Sequence, residues 1–371
     1  MSDAAPCMHH DRVIFGSLEE MEMSIFKKAS TWLGVGTLAL LAAAPGALAQ
    51  DKLRLTVANG NPPTIPSTWW MTDYIGPKLT EYTNGRIAVN MQVNSTLCNE
   101  HKCVEQAKLG QIDIGQISGG NIGAFGTAMD ILNLPYIFKD DQAAEKLING
   151  WLGEELSKRA ANEMGLHVIA IIPSYSFRNI DNSKREIKVP ADTKGLKFRV
   201  TKSPAEFNMI KAWGGIAVPY DWGQLYDGLQ SGVVDGMYIP DAYVAAMKFY
   251  EVTKFITQTG GSWNAHIFFM DKKRYDKLPE WARQAIDRIG VEIRQKSFQV
   301  DAEWMARQTE ALQGKVKLYK PTPAELQEWY AGAPAAWVAV KGTYDPALAK
   351  RVLKDQGQDE LIKKLEAVGA L

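Results

Sequence analysis

Two arginines stand where a guanidinium meets apolar chain. Arg199 alternates with Leu196, Phe198 and Val200 in a strand-like run, and Arg178 ends the segment Ser174-Tyr175-Ser176-Phe177 that follows a buried strand, Leu166–Ile172. A guanidinium is a planar fork of N–H donors that matches the two oxygens of a carboxylate, so either residue could hold an organic acid. The alternative for each is an ordinary surface ion pair. Trp69, Trp70, Tyr175, Trp222, Tyr238 and Trp263 could wall such a site, although most large aromatics simply pack in a core.

A second candidate lies in Leu97-Cys98-Asn99-Glu100-His101-Lys102-Cys103. Two cysteines so placed can close a small disulfide loop, worth roughly 2 kcal/mol by chain entropy. They can also remain free thiols, or join His101 as three soft metal ligands, for which no second cluster supplies a fourth. Catalytic patterns are missing: there is no G-x-S-x-G, H-E-x-x-H, P-loop or strand-opening G-x-G-x-x-G. His167 sits in an apolar strand and reads as a packed core residue. His266, after Trp263-Asn264-Ala265, reads as an ordinary strand residue. No cofactor is implied.

Strand and helix patterns alternate around these residues. Leu53–Val57, Ile87–Val93 and Ile112–Ile117 have strand character, with helical stretches at 67–84, 99–109 and 141–164. After Ser174 a second unit has a strand at Leu196–Val200 and helices at 203–213 and 222–231. This order predicts an α/β fold with largely parallel sheets. An internal echo suggests two similar lobes with a cleft between them: Leu109-Gly110-Gln111-Ile112-Asp113 and Ser231-Gly232-Val233-Val234-Asp235 both pass from a helix through glycine to an aspartate before a strand. From Pro279 to Gly314 the pattern is helical, about 50 Å at 1.5 Å per residue, long enough to cross a lobe boundary. Residues 322–370 read as two or three further helices.

Among the 371 residues, 42 Lys and Arg balance 42 Asp and Glu. That balance argues against a nucleic-acid surface, which needs a basic excess. Lys27-Lys28, an apolar run from Trp32 to Ala44, and Ala47-Leu48-Ala49 follow the order of a secretory signal peptide. Translation is expected to start at Met23 and cleavage to follow Ala49, so 1–49 is set aside as an N-terminal extension and signal.

Several motifs occur together in order. They are Phe177-Arg178 through Asn182-Ser183-Lys184-Arg185, Pro190, Gly195-Leu196-Lys197-Phe198-Arg199-Val200, Leu229–Gly236, Lys248-Phe249-Tyr250-Glu251-Val252, Glu105-Gln106 with Leu109-Gly110, and Leu134-Pro135-Tyr136. With them the chain resembles the solute-binding proteins of tripartite ATP-independent periplasmic (TRAP) transporters, of the four-carbon-dicarboxylate-binding type, over nearly all of 50–371. The resemblance implies a periplasmic, two-lobed type II-like binding-protein fold with a long helix belonging to both lobes. Lobe I is expected at 50–175 plus 265–304, and lobe II at 176–264 plus 305–371. It further implies a cleft that closes on a small organic carboxylate held by Arg199 and assisted by Arg178, then docks on membrane permease subunits. A monomer is expected, with a dimer as the alternative.

The expected ligand-binding set is Arg199, Arg178, Trp222, Tyr238, Ile239, Trp263, Asn264, Glu100 and Ser118, with Cys98–Cys103 as a disulfide at the cleft mouth. The chain departs from the family pattern at Met237-Tyr238-Ile239-Pro240, where Ile239 replaces a common asparagine, and at Gln224, where an acid is common. These departures point to a monocarboxylate with an apolar or aromatic body, ahead of a short hydroxy or keto acid. A ligand sensor for a signalling receptor is the alternative function, and a secreted enzyme is the remote one.

Overall fold

The computed structural model describes residues 52–371; the expected signal peptide, start site and cleavage site lie outside them. Eleven strands among the described residues form two sheets. In the first, β1 (Leu53–Ala58), β2 (Ile87–Gln92), β3 (Ile114–Ser118), β4 (Leu166–Phe177) and β10 (Trp263–Asp271) run in the order β2-β1-β3-β10-β4. The second holds β5 (Asn179–Asn182), β6 (Lys197–Val200), β7 (Ile216–Pro219), β8 (Gly236–Ile239), β9 (Phe255–Thr257) and β11 (Lys317–Tyr319), ordered β11-β9-β5-β8-β6-β7.

Largely parallel sheets were expected, and here the structure differs. The pairs β1–β2, β1–β3, β6–β7, β6–β8 and β9–β11 are parallel, but β10 is antiparallel to β3 and β4, and β5 to β8 and β9. The antiparallel strands are those beside the two crossings between sheets, where the chain returns directly instead of through a helix.

The echoed turns are structurally equivalent. Gly110 and Gly232 both have φ +74°, a left-handed conformation that favours glycine. Asp113 N–H donates to Thr56 O at 2.8 Å, and its carboxylate accepts Thr56 N–H at 2.8 Å. Asp235 does the same with Lys197, at 2.7 and 2.9 Å. Each aspartate thus pins the entry of a strand against a parallel neighbour, β3 against β1 and β8 against β6.

The long helix spans Glu280–Ala311, with Pro279 as its N-cap. It packs on β4 of the first sheet and on the helix Asp241–Ala246 that follows β8 of the second. Arg294 Nη1 donates to Ile169 O at 3.2 Å, and Trp304 packs on Tyr175 with ring centroids 4.2 Å apart. The C-terminal part forms four helices where two or three were expected: Pro323–Ala331, Ala333–Ala339, Pro346–Asp355 and Asp359–Ala367. Pro334 and Pro346 each sit at the start of a helix, where a missing N–H is harmless, and divide the stretch. These helices touch elements on both sides of the crossings: Trp213 Nε1 donates to Trp329 O at 3.0 Å, and Arg159 meets Asp345 at 2.7 Å. His167 is not sealed in the core as expected. It stacks on Tyr275 at 3.4 Å and reaches Asp287 at 3.4 Å.

Candidate functional site

Arg178 occupies the step from β4 to β5. Its N–H donates to Ser262 O at 2.8 Å and its carbonyl accepts Gly261 N–H at 3.1 Å, which ties the two crossing segments together. Just before it, Tyr175 and Ser176 have φ +66° and +70°. Two successive non-glycine residues in the left-handed region turn the chain sharply from one sheet toward the other. Arg178 is buried, and its side chain is well supplied with acceptors. Nε lies 2.9 Å from Glu206 Oε1, Nη1 donates to Tyr238 O at 3.1 Å, and Nη2 to Asn264 Oδ1 at 2.7 Å.

Arg199, on β6, is equally buried but differently supplied. Nε donates to Tyr220 O at 3.0 Å, and the guanidinium lies 5.7 Å from the Trp222 ring centroid. Its two terminal nitrogens have no hydrogen-bond partner among the described residues. Burial, followed by the like charge of Arg178, pulls its pKa down to about 10, so it stays a cation at neutral pH.

These two residues share a cavity lined by Asn61, Glu100, Ser118, Asn121, Arg178, Arg199, Thr201, Trp222, Ile239, Tyr243, Asn264 and His266. Residues from both sheets' connections meet across it. Thr201 Oγ1 donates to Gly120 O at 3.0 Å, and Lys202 N–H to Asn121 Oδ1 at 3.1 Å. Asn99 Nδ2 reaches Asp221 Oδ2 at 3.4 Å at the rim. The cleft is therefore closed. On the first-sheet side, Glu100 takes Ser118 N–H at 3.0 Å, Ser118 Oγ–H at 2.9 Å and Asn121 Nδ2. An outer cavity continues past Glu100, Asn121, Arg199 and Trp222 to His101, Lys202 and Asp221.

Residues 72–341 match the family model DctP, described as bacterial extracellular solute-binding protein, family 7. The chain belongs to this family. A solute-binding protein of Verminephrobacter eiseniae is 33% identical over 213 residues, 57% of this chain and 63% of that one. The 2,3-diketo-L-gulonate-binding periplasmic protein YiaO of Escherichia coli is 30% identical over 208 residues, 56% and 63% of the two chains. The match thus spans a little under two thirds of the length of these curated relatives. Among solved structures, the sugar acid binding protein DctPAm of Advenella mimigardefordensis, in complex with galactonate, superposes with TM-score 0.78 at 20% identity, covering 83% of this chain and 99% of its own. A TRAP periplasmic solute binding protein from Sulfurospirillum deleyianum, with bound succinate, gives 0.73 at 24% identity, covering 81% and 97%. The fold of this family 7 chain is the two-lobed one of those proteins.

Seven of the nine residues expected at the site line the inner cavity of the family 7 protein: Arg199, Arg178, Trp222, Ile239, Asn264, Glu100 and Ser118. Tyr238 and Trp263 do not. Each is the strand neighbour of a lining residue, Ile239 or Asn264, and successive side chains on a strand point to opposite faces. Tyr238 turns to Trp213, with its OH 3.2 Å from Ser262 Oγ. Trp263 turns to Phe138 and donates to Asp141 at 3.2 Å.

The sequence reading did not single out Asn61, Asn121, Thr201 or Tyr243, and it gave His266 only a structural role. The period-two step from Asn264 would have found His266. Tyr243, four residues past Ile239 on the following helix, has a weaker signal; Asn61, Asn121 and Thr201 lie beyond strand ends, where spacing gives none. Of the three readings for the cysteines, the disulfide forms, with Cα atoms 5.1 Å apart. Both sulfurs are used, and no metal-holding cluster of His, Cys, Asp or Glu is found among the described residues.

Proposed function

We propose that this family 7 protein is the periplasmic binding subunit of a TRAP transporter, capturing a small organic carboxylate between its lobes and delivering it to membrane permease subunits. One observation carries the reading. Arg199 is a buried cation whose forked end has no acceptor among the described residues, while the neighbouring Arg178 is already matched by Glu206. A buried charge without a partner is costly, and a bidentate carboxylate is its natural complement. The succinate and galactonate of the structural neighbours are carboxylates too. A single anion suits a cavity in which only one arginine is unmatched, and Trp222 and Ile239 supply an apolar wall for the ligand's body.

The test is thermal melting of the protein against a panel of organic acids. A ligand that binds only the folded state raises stability by about 2.7 kcal/mol at one hundred times its Kd. Stabilisation by carboxylates and not by their amides supports the proposal; a flat response to every acid, from protein freed of bound solute by unfolding and refolding, counts against it.

A further inference from the structure

His266 is 2% exposed on β10, at the wall of the inner cavity. Its Nε2 lies 3.1 Å from Ser174 Oγ and 3.2 Å from Tyr243 OH, and those two oxygens are 2.8 Å apart. Asn264 Nδ2 also donates to Ser174 Oγ, at 2.9 Å. Neither hydroxyl has another acceptor within reach among the described residues.

The hydrogens in this triangle can be counted. Serine and tyrosine each bring one, and both can be placed if Nε2 is bare: one hydroxyl donates to the other, and the second donates to Nε2. If Nε2 carried a hydrogen, it would occupy one oxygen, the bond between the hydroxyls would use a second hydrogen, and the third would point at an N–H. A stranded buried hydroxyl is disfavoured, so the ring hydrogen belongs on Nδ1. A doubly protonated ring fails the same count. Burial, and then the charge of Arg178, hold the His266 pKa down at about 3, so the ring is neutral.

Nδ1 is buried and has no hydrogen-bond partner among the described residues. A neutral Nδ1–H on a ring that lines the cavity is a donor waiting for an acceptor. Arg199 rises from β6 of the second sheet and His266 from β10 of the first, so a carboxylate held by Arg199 leaves the histidine facing the rest of the ligand. We infer that His266 is a specificity-determining residue whose Nδ1–H takes an uncharged acceptor oxygen, carbonyl or hydroxyl, carried by the ligand beside its carboxylate. This rests on the proposed carboxylate capture and sharpens it: a purely hydrocarbon acid leaves the donor unpaired.

Isothermal titration calorimetry with four acids of one carbon skeleton tests this: 4-methyl-2-oxopentanoate, the two enantiomers of 2-hydroxy-4-methylpentanoate, and unsubstituted 4-methylpentanoate. The expected result is that an oxygenated acid binds about tenfold or more tighter than the unsubstituted one, and the tighter of the oxo and hydroxy forms identifies the oxygen. His266→Phe removes that preference, read as the ratio of the oxygenated to the unsubstituted affinity within the variant, and His266→Asn, which keeps a donor near Nδ1, restores part of it. The wild-type comparison decides even where a variant does not fold. Equal affinity for 4-methylpentanoate and the oxygenated acids overturns the inference and leaves carboxylate capture standing. Failure of all four to bind overturns it too, and the amide-controlled melting panel then shows whether carboxylate capture falls with it.

Discussion

Arg178 Nε lies 2.9 Å from Glu206 Oε1, and the two side chains are 4% and 1% exposed. Glu206 also accepts Thr201 N–H at 3.1 Å, so one carboxylate fixes both the arginine at the crossing and the loop that follows β6. Arg199, in the same cavity, has no such partner among the described residues. The two cations are therefore expected to respond oppositely to removal of charge.

For Glu206→Ala, the arginine is left buried and unmatched. Breaking a buried ion pair in this way costs about 3–5 kcal/mol. Chemical denaturation of the unliganded protein should show a loss in that range; a loss below about 1 kcal/mol would mean that Glu206 does not hold Arg178 in solution.

Closure has its own test at Gly120. A Cβ there would come within 2.5 Å of both Glu206 Oε1 and Thr201 Oγ1, across the cleft. Gly120→Ala should prop the lobes apart while leaving each lobe intact. We expect small-angle scattering to show no compaction on ligand addition and affinity to fall about tenfold or more. Normal compaction with wild-type affinity would contradict the closed arrangement described above.

Stability should depend on pH through Asp130. Burial raises its pKa from 3.8 to about 7. The folded state thus binds more protons than the unfolded state between about pH 4 and pH 7, and stability falls as pH rises through that window. Asp141, Asp181, Asp241 and Asp301 are shifted in the same direction by burial. Asp130→Asn removes one of these contributions. Relative to wild type, the variant should gain stability from pH 4 to pH 7, by an amount on the order of 4 kcal/mol. A difference that stays constant with pH would show that Asp130 ionises normally.

Much of this was legible in the sequence, for physical reasons that differ by residue. Arg199 showed itself as a charge in an apolar strand, and Arg178 as a charge at the end of one. Gly110-Asp113 and Gly232-Asp235 showed as repeated turns because a left-handed glycine and a strand-pinning aspartate are local requirements. Tyr238 and Trp263 misled because their size suggested a pocket, while strand parity assigns that face to Ile239 and Asn264. The strand β5, Asn179-Ile180-Asp181-Asn182, escaped notice because three of its four residues are polar yet buried. Glu206 gave no signal either. Its importance comes from Arg178, distant in sequence, and only folding brings them together.

The central claim is that Arg199 is the carboxylate receptor, and calorimetry on Arg199→Ala tests it most directly. The titrant is the acid that most raises the melting temperature of the wild-type protein. Because the terminal nitrogens of Arg199 bond no other described residue, the variant should melt at or above the wild-type temperature without ligand. Its affinity should fall by about thirtyfold or more, the equivalent of losing about 2 kcal/mol of charged hydrogen bonding. A folded Arg199→Ala protein that binds the acid as tightly as wild type would contradict the account.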